Sequence, residues 1–182
     1  MSKFEELCSA YKNFRDQLSD TRHNAFSMAH RIAYNYRKYL ELDNDAVLKL
    51  IPLDKPVQSG TMYTPAGATH LGEDGFWHLG VELTVYMGAN IHPQQTFTIS
   101  FKFIKNEDGS HLLDVDDLNA STIISDVNNA TEFNPVFDKI HENIIGYFNE
   151  NLEFLKGKHN KMSSIGFIQN SIATTINSEN NG

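Results

Sequence analysis

The sequence predicts an α+β protein: an antiparallel sheet of about four to five strands, with an N-terminal helical hairpin and a C-terminal helix packed on one face. Three observations lead there. From Leu79 to Met87 and from Phe97 to Phe103 the odd positions are all large and apolar, while Gly80, Glu82, Thr84, Tyr86, Thr98, Ser100 and Lys102 fill the even ones. Side chains alternate faces along a strand, so each stretch reads as a strand with one buried face. Both ends of the chain carry apolar residues at helical spacing instead. There is neither βαβ alternation nor a glycine-rich phosphate loop, which argues against a parallel dinucleotide-binding fold.

The elements follow in order. Ser2 and Glu5 fit a capping box, and Phe4, Leu7, Cys8, Tyr11, Phe14 and Leu18 fall on one stripe, predicting a helix over 2–18. Cys8 lies in that stripe and reads as a small core residue. A second helix is expected from Thr21 to Leu42, capped by Asp20 or Thr21, with Phe26, Ala29, Ile32, Ala33, Tyr36 and Leu40 inward. The polar link between them suggests an antiparallel hairpin. Asp43, Asn44 and Asp45 end that unit, and Val47–Leu53 is a short strand closed by Pro52.

Asp54–Phe76 is rich in Gly, Thr and Pro and reads as a long loop, of the kind that carries function. Then comes the alternating hairpin, with Ala89–Pro93 as its connection. Asn106–Ser110 holds an Asp-Gly turn signal, after which His111–Val115 is a third strand of the meander and Ser121–Val127 a weaker fourth. Asn134 and Pro135 open a helix running to Lys156 and stopped by Gly157; Val136, Phe137, Ile140, Ile144, Phe148, Leu152 and Leu155 form its apolar face. This gives one domain over 1–157. Residues 158–182 form a polar Asn/Ser-rich tail in which Ile165, Ile168, Ile172 and Ile176 line one side of a short helix.

Composition narrows the function. In 182 residues there are 15 Lys and Arg against 23 Asp and Glu, for a net charge of −8. Nucleic-acid binding needs a dense basic face. Here the basic concentrations are small: Arg31, Arg37 and Lys38, then Lys156, Lys158 and Lys161. No nucleic-acid partner is expected. No apolar run reaches the ~20 residues of a membrane span, and the first residues carry no apolar core of a signal peptide. The single cysteine excludes an internal disulfide and a Cys-based zinc site. A cytoplasmic protein is expected, with no membrane partner and no cofactor. The eight histidines could cancel the net charge on protonation, so solubility should drop in mild acid.

Four candidate sites stand out. On the outer face of the hairpin, a register with Leu83 opposite Ile99 brings Glu82 diagonal to Lys102 as an ion pair beside Thr84, Thr98 and Ser100. Asp114 and Asp116 lie two apart on one strand face, ~6–7 Å between Cα atoms, and with Asp117 and His111 nearby could hold a hard cation such as Mg²⁺. His23, Ser27, His30, Tyr34 and Arg37 recur at helical spacing, a row suited to an anion with Arg37 as its fixed charge. The long loop carries Tyr63, His70 and, at its end, Trp77, which could close a pocket over the sheet. Ser59 and His70 lack the spacing of a nucleophile and its base.

The reading these residues favour is a non-catalytic binding or interaction module. Its small-molecule or anion pocket is roofed by loop 54–77 and draws on His30, Tyr34, Arg37, Tyr63, His70, Trp77, Glu82 and Lys102. Its partner is a protein or a small molecule, and sheet edges or the helical hairpin suit a homodimer. The alternatives are a small metal-dependent hydrolase or phosphotransfer enzyme built on Asp114 and Asp116, and an acidic inhibitor or immunity-type protein.

Overall fold

The computed structural model describes residues 2–43, 47–88, 91–158 and 168–170. Asn44, Asp45, Ala89, Asn90, Lys161, Ile165, Ile172 and Ile176, which the sequence reading used, lie outside them.

The chain is α+β, with an antiparallel sheet that carries an N-terminal and a C-terminal helix on one face. The helical hairpin expected at the start is one continuous helix, α1, Lys3–Tyr39. Its 37 residues span ~55 Å. The capping box forms: the Ser2 hydroxyl accepts from the Glu5 N–H, and the Glu5 carboxylate accepts from the Ser2 N–H. The polar link does not break the helix, because it contains neither Pro nor Gly. Thr21 caps nothing; its hydroxyl donates to the Gln17 carbonyl one turn back, at 2.8 Å.

Only the second half of α1 is buried, through Ala25, Met28, Ala29, Ile32, Asn35 and Tyr36. The first half projects beyond the sheet, which leaves Phe4, Leu7, Tyr11 and Phe14 59–73 % exposed. Cys8, expected in the core, is exposed on the same arm.

Strand β1 (Leu48–Ile51) follows. The supposed loop contains a single turn of helix, α2 (Pro65–Ala68), and a strand, β2 (Thr69–Leu71). Thr64 caps α2 by accepting from the Gly67 N–H. Then come β3 (Trp77–Gly88), β4 (Ile91–Lys105), β5 (His111–Val115) and β6 (Thr122–Ile124). A 3-10 turn (Ala130–Phe133) leads into α3 (Asn134–Leu155). Asn134 is the first helical residue and not the cap; Asn129 instead caps the 3-10 turn by accepting from the Thr131 N–H. Ile168, expected on a helix face, opens a last strand, β7 (Ile168–Asn170).

The sheet order is β1-β3-β4-β5-β6, with β2 also on β3 and β7 also on β4. The alternation of the hairpin holds for Leu79, Val81, Leu83, Phe97, Ile99, Phe101 and Phe103, all buried beneath the helices, whereas Val85 is half-buried and Met87, at the register shift between Tyr86 and Gly88, is exposed. The expected register does not hold. Leu83 pairs with Phe97 and Val81 with Ile99, a slip of two residues from the expected pairing. A slip of two leaves every side chain on its own face, so alternation cannot detect it. The cause is a tighter connection: β4 begins at Ile91, already paired with Gly88.

An aromatic cluster locks the helices to the sheet. The Tyr36 ring lies 4.8 Å from Phe137 and 6.0 Å from Phe101, and Phe97 meets Tyr147 at 6.0 Å. Such ring pairs add ~0.5–1.5 kcal/mol each beyond the area they bury. The outer end of α3 is less covered, with Leu152 and Leu155 exposed although their spacing placed them inward.

Candidate functional site

Strands β2 to β5 turn their even-numbered residues away from the helices, and the register joins four of them into a row. His70 on β2 pairs with His78 on β3, His78 with Lys102 on β4, and Lys102 with Asp114 on β5. The His70 and His78 rings stack 5.3 Å apart. Asp54 stands 3.9 Å from His70 Nδ1, and Asp74 sits 3.0 Å from His78 Nε2. The His78 contact, followed by the Phe76 N–H, holds the Asp74 carboxyl below the usual carboxylate range.

Lys102 is the centre of this row. Its Nζ lies 3.0 Å from Asp116 and 3.4 Å from Asp114, and 5.9 Å from the centre of the Phe76 ring. Burial pushes the Asp116 carboxyl up, but the Ser100 hydroxyl, donating at 2.8 Å, and the Lys102 ammonium together outweigh it, and the net displacement is downward. The Asp116 contact raises Lys102 in turn, against a smaller effect of burial. The cation between Asp114 and Asp116 is therefore an internal one. Among the described residues no three His, Cys, Asp or Glu side chains are grouped to hold a metal ion. Lys102 has exchanged its expected partner as well: Glu82 faces Lys49 and Thr98. The two-residue slip in register is the reason.

The remaining residues singled out in the sequence do not join this row. His30 and Tyr34 stack on the exposed side of α1, ring centres 6.3 Å apart. Arg37 donates to the Leu48 carbonyl at 3.2 Å and ties α1 to β1. Tyr63 accepts from the Gln58 N–H at 2.9 Å, inside its own loop. Trp77 is 7 % exposed and packs edge-on to Phe26, closing the core where α1 leaves the sheet.

A cleft opens beside Trp77, where α1 crosses the end of the β4–β5 hairpin. It consists of two adjoining cavities of about 490 and 280 Å³, which share Asn24, Lys105 and His111. The larger has an apolar wall of Trp77, Phe103 and Ile104. The smaller adds Arg31, Ser27, Ser125 and Asp126, and Glu107 lines the larger. The larger volume lies within the ~300–1,000 Å³ of small-molecule sites, which have mostly apolar walls and a few convergent polar groups, and the smaller lies just below it.

Local sequence explains the placement. The Asn106–Ser110 turn is held by the Asn106 side-chain amide donating to the Ser110 hydroxyl and by Asp108 accepting from the Ser110 N–H, both at 2.9 Å. That turn fixes Lys105 opposite His111, both on the helix side of the sheet. Arg31 lies two turns after Asn24 on α1, so the two share a side. Neither Arg31 nor Lys105 forms an ion pair with a described residue, whereas Lys102 has two. His111 Nδ1 is buried without a protein hydrogen-bond partner. Burial first, and the Lys105 charge second, hold this imidazole below its ordinary pKa, so it is neutral at pH 7.

The cleft thus combines two cations without an ion pair among the described residues, two acids at its walls, an imidazole that can take up a proton, and an aromatic wall. Loop 54–77 reaches it only through its end, where Leu71, Gly75 and Trp77 form one side. The sequence reading used Arg31 and His111 in other roles and missed Lys105 altogether. The turn signal at Asn106–Ser110 was the sign that would have placed Lys105 beside His111. No family model, no curated protein and no solved structure matches this chain.

Proposed function

We propose that this protein is a non-catalytic binding module whose cleft between α1 and the β4–β5 hairpin takes a small anionic ligand with a flat apolar body. The observation that carries this reading is the convergence of Arg31, Lys105 and His111 beside Trp77 and Phe103. The ligand's anion meets the cations, and its apolar part lies along the aromatic wall. A charge-assisted hydrogen bond contributes ~1.5–3 kcal/mol. The outer row of the sheet supports the same choice, because its charges are already spent on one another.

Trp77 is the only tryptophan, so its emission reports directly on the site. Benzenesulfonate serves as the probe, with sulfate and benzyl alcohol supplying the anion and the ring separately. Benzenesulfonate should bind more tightly than either. Arg31→Ala and Lys105→Ala should each weaken it about tenfold or more. An unchanged affinity in the double variant would refute the reading.

A further inference from the structure

Among the described residues nothing covers Phe4, Leu7, Tyr11 and Phe14 on the projecting half of α1, and Leu18, where the stripe nears the sheet, is half-buried. Phe4, Leu7, Tyr11, Phe14 and Leu18 repeat at intervals of three and four, the a/d pattern of a helix that pairs with another helix. The same repeat continues through Thr21 into Ala25, Met28 and Ile32, which are buried against the sheet. One face of α1 is therefore covered by the sheet in its second half and bare in its first.

We propose that the bare half is covered by the same segment of a second copy, antiparallel, in a two-fold symmetric dimer. Geometry selects this arrangement over a parallel one. A parallel partner would run on along the face that the sheet occupies from Ala25 onward. An antiparallel partner stops in time. With Tyr11 of each copy against Phe14 of the other, Leu7 meets Leu18 and Phe4 meets Thr21. Lys3, where the partner helix begins after its Ser2 cap, then lies level with Arg22, short of Ala25.

Charges and area agree. In this register Lys3 of one copy falls beside Asp20 of the other on one flank and Glu5 beside Arg22 on the opposite flank, and these pairs outnumber the one like-charge approach, Lys12 to Arg15. The positions bordering the stripe on the arm, Lys3, Cys8, Ala10, Arg15, Gln17 and Arg22, include no acid, so no acid is set against another acid across the seam. Each copy contributes three aromatic and two leucine side chains. An aromatic side chain buries ~150–250 Å², so the pair removes on the order of 1,000–1,500 Å² from water, above the ~1,000 Å² floor for a specific interface.

The test uses the full chain. Sedimentation or light scattering should give twice the 20.6 kDa chain mass at ~100 μM. Leu7→Glu with Phe14→Glu should weaken the dimer about 100-fold or more. Both positions are exposed in the single chain, so its melting temperature and Trp77 emission should stay unchanged once monomeric. Orientation is read by spin labels on Lys3→Cys in a Cys8→Ser background. The antiparallel register places them ~30 Å apart along the axis, whereas a parallel pair would bring them to ~10 Å. A monomer at ~100 μM, a label separation near ~10 Å, or a dimer insensitive to the glutamates would overturn the proposal. The last outcome would point to another surface, such as the exposed Ile145, Phe148, Leu152 and Leu155 on α3.

Discussion

Replacing Lys102 by methionine keeps most of its aliphatic stem and removes its charge. Two carboxylates, Asp114 and Asp116, then face each other without the ammonium that lies 3.4 and 3.0 Å from them. The Lys102 and Asp114 side chains are about a quarter exposed and Asp116 about a third, so water screens the group in part. Fully exposed pairs contribute ~0–1 kcal/mol, and breaking a buried one costs ~3–5 kcal/mol. A loss of about 1–3 kcal/mol at pH 7 is expected, or ~2–9 °C in melting temperature for a chain of this length. The pH dependence separates charge from packing. Asp116 titrates lower in the fold than when unfolded, so its contribution is full above its unfolded value, ~3.9, and disappears as pH falls through the folded one. Lys102 titrates higher, so its share is full below ~10.4 and is lost as pH rises through its folded value. The deficit of the variant should therefore be largest between about pH 5 and 9 and shrink near pH 3. Urea unfolding followed by Trp77 emission at pH 7 and pH 3 measures it. A deficit that is equal at both values would show that the stem and its packing matter and the charge does not. The variant carries a second expected gain: with the ammonium gone, Ca²⁺ or Mg²⁺ at millimolar levels should raise its melting temperature more than that of the parent chain.

Three further outcomes are expected. Gly80→Ala would place a Cβ 2.5 Å from the Ile51 carbonyl oxygen and 2.8 Å from a Leu53 methyl, so it should force β1 away from β3 and cost about 2 kcal/mol or more in urea unfolding. Phe137→Ala removes the ring shared by Tyr36, Tyr39, Phe101 and Phe133, and should cost about 3–5 kcal/mol by the same measurement. In the cleft, benzenesulfonate should bind more tightly as pH falls from 7.5 towards 5.5, because an anion favours the protonated form of His111; His111→Gln should flatten that profile.

The sheet was legible because burial on one face writes itself into a period of two, and Leu79–Val85 and Phe97–Phe103 carry that period, which fails at Met87, where the register shifts and the side chain is exposed, and at the buried Thr84. What the period cannot write is register. The pairing of Val81 with Ile99 depends on where the connection tightens, and Gly88 and Ile91 carry no signal of their own. The row His70, His78, Lys102 and Asp114 was invisible for the same reason: it exists only once three registers are fixed. The second misreading ran the other way. Amphipathic spacing over residues 2–18 was correct for a helix, but an apolar stripe states that something covers it, not that the same chain does. Cys8 and Phe14 were placed in a core on that assumption.

That distinction also separates the two surfaces of this molecule. Lys102 and its acids lie within one rigid sheet, and each charge finds its counter-charge among strand neighbours. Such a group resists unfolding but has little left to offer a ligand. The cleft is assembled from α1 and the end of a hairpin, elements that approach through side chains alone, and there Arg31 and Lys105 form no ion pair with a described residue, although Asp126 and Glu107 line the same walls. Holding two cations in a cleft without a direct ion pair raises the free energy of the empty site, by partial desolvation that Asp126 and Glu107 at the walls offset only at a distance. An incoming anion recovers that energy on binding. The same reasoning places the neutral His111 imidazole: a third fixed charge would strain the empty cleft at pH 7, whereas a proton taken up with the ligand does not.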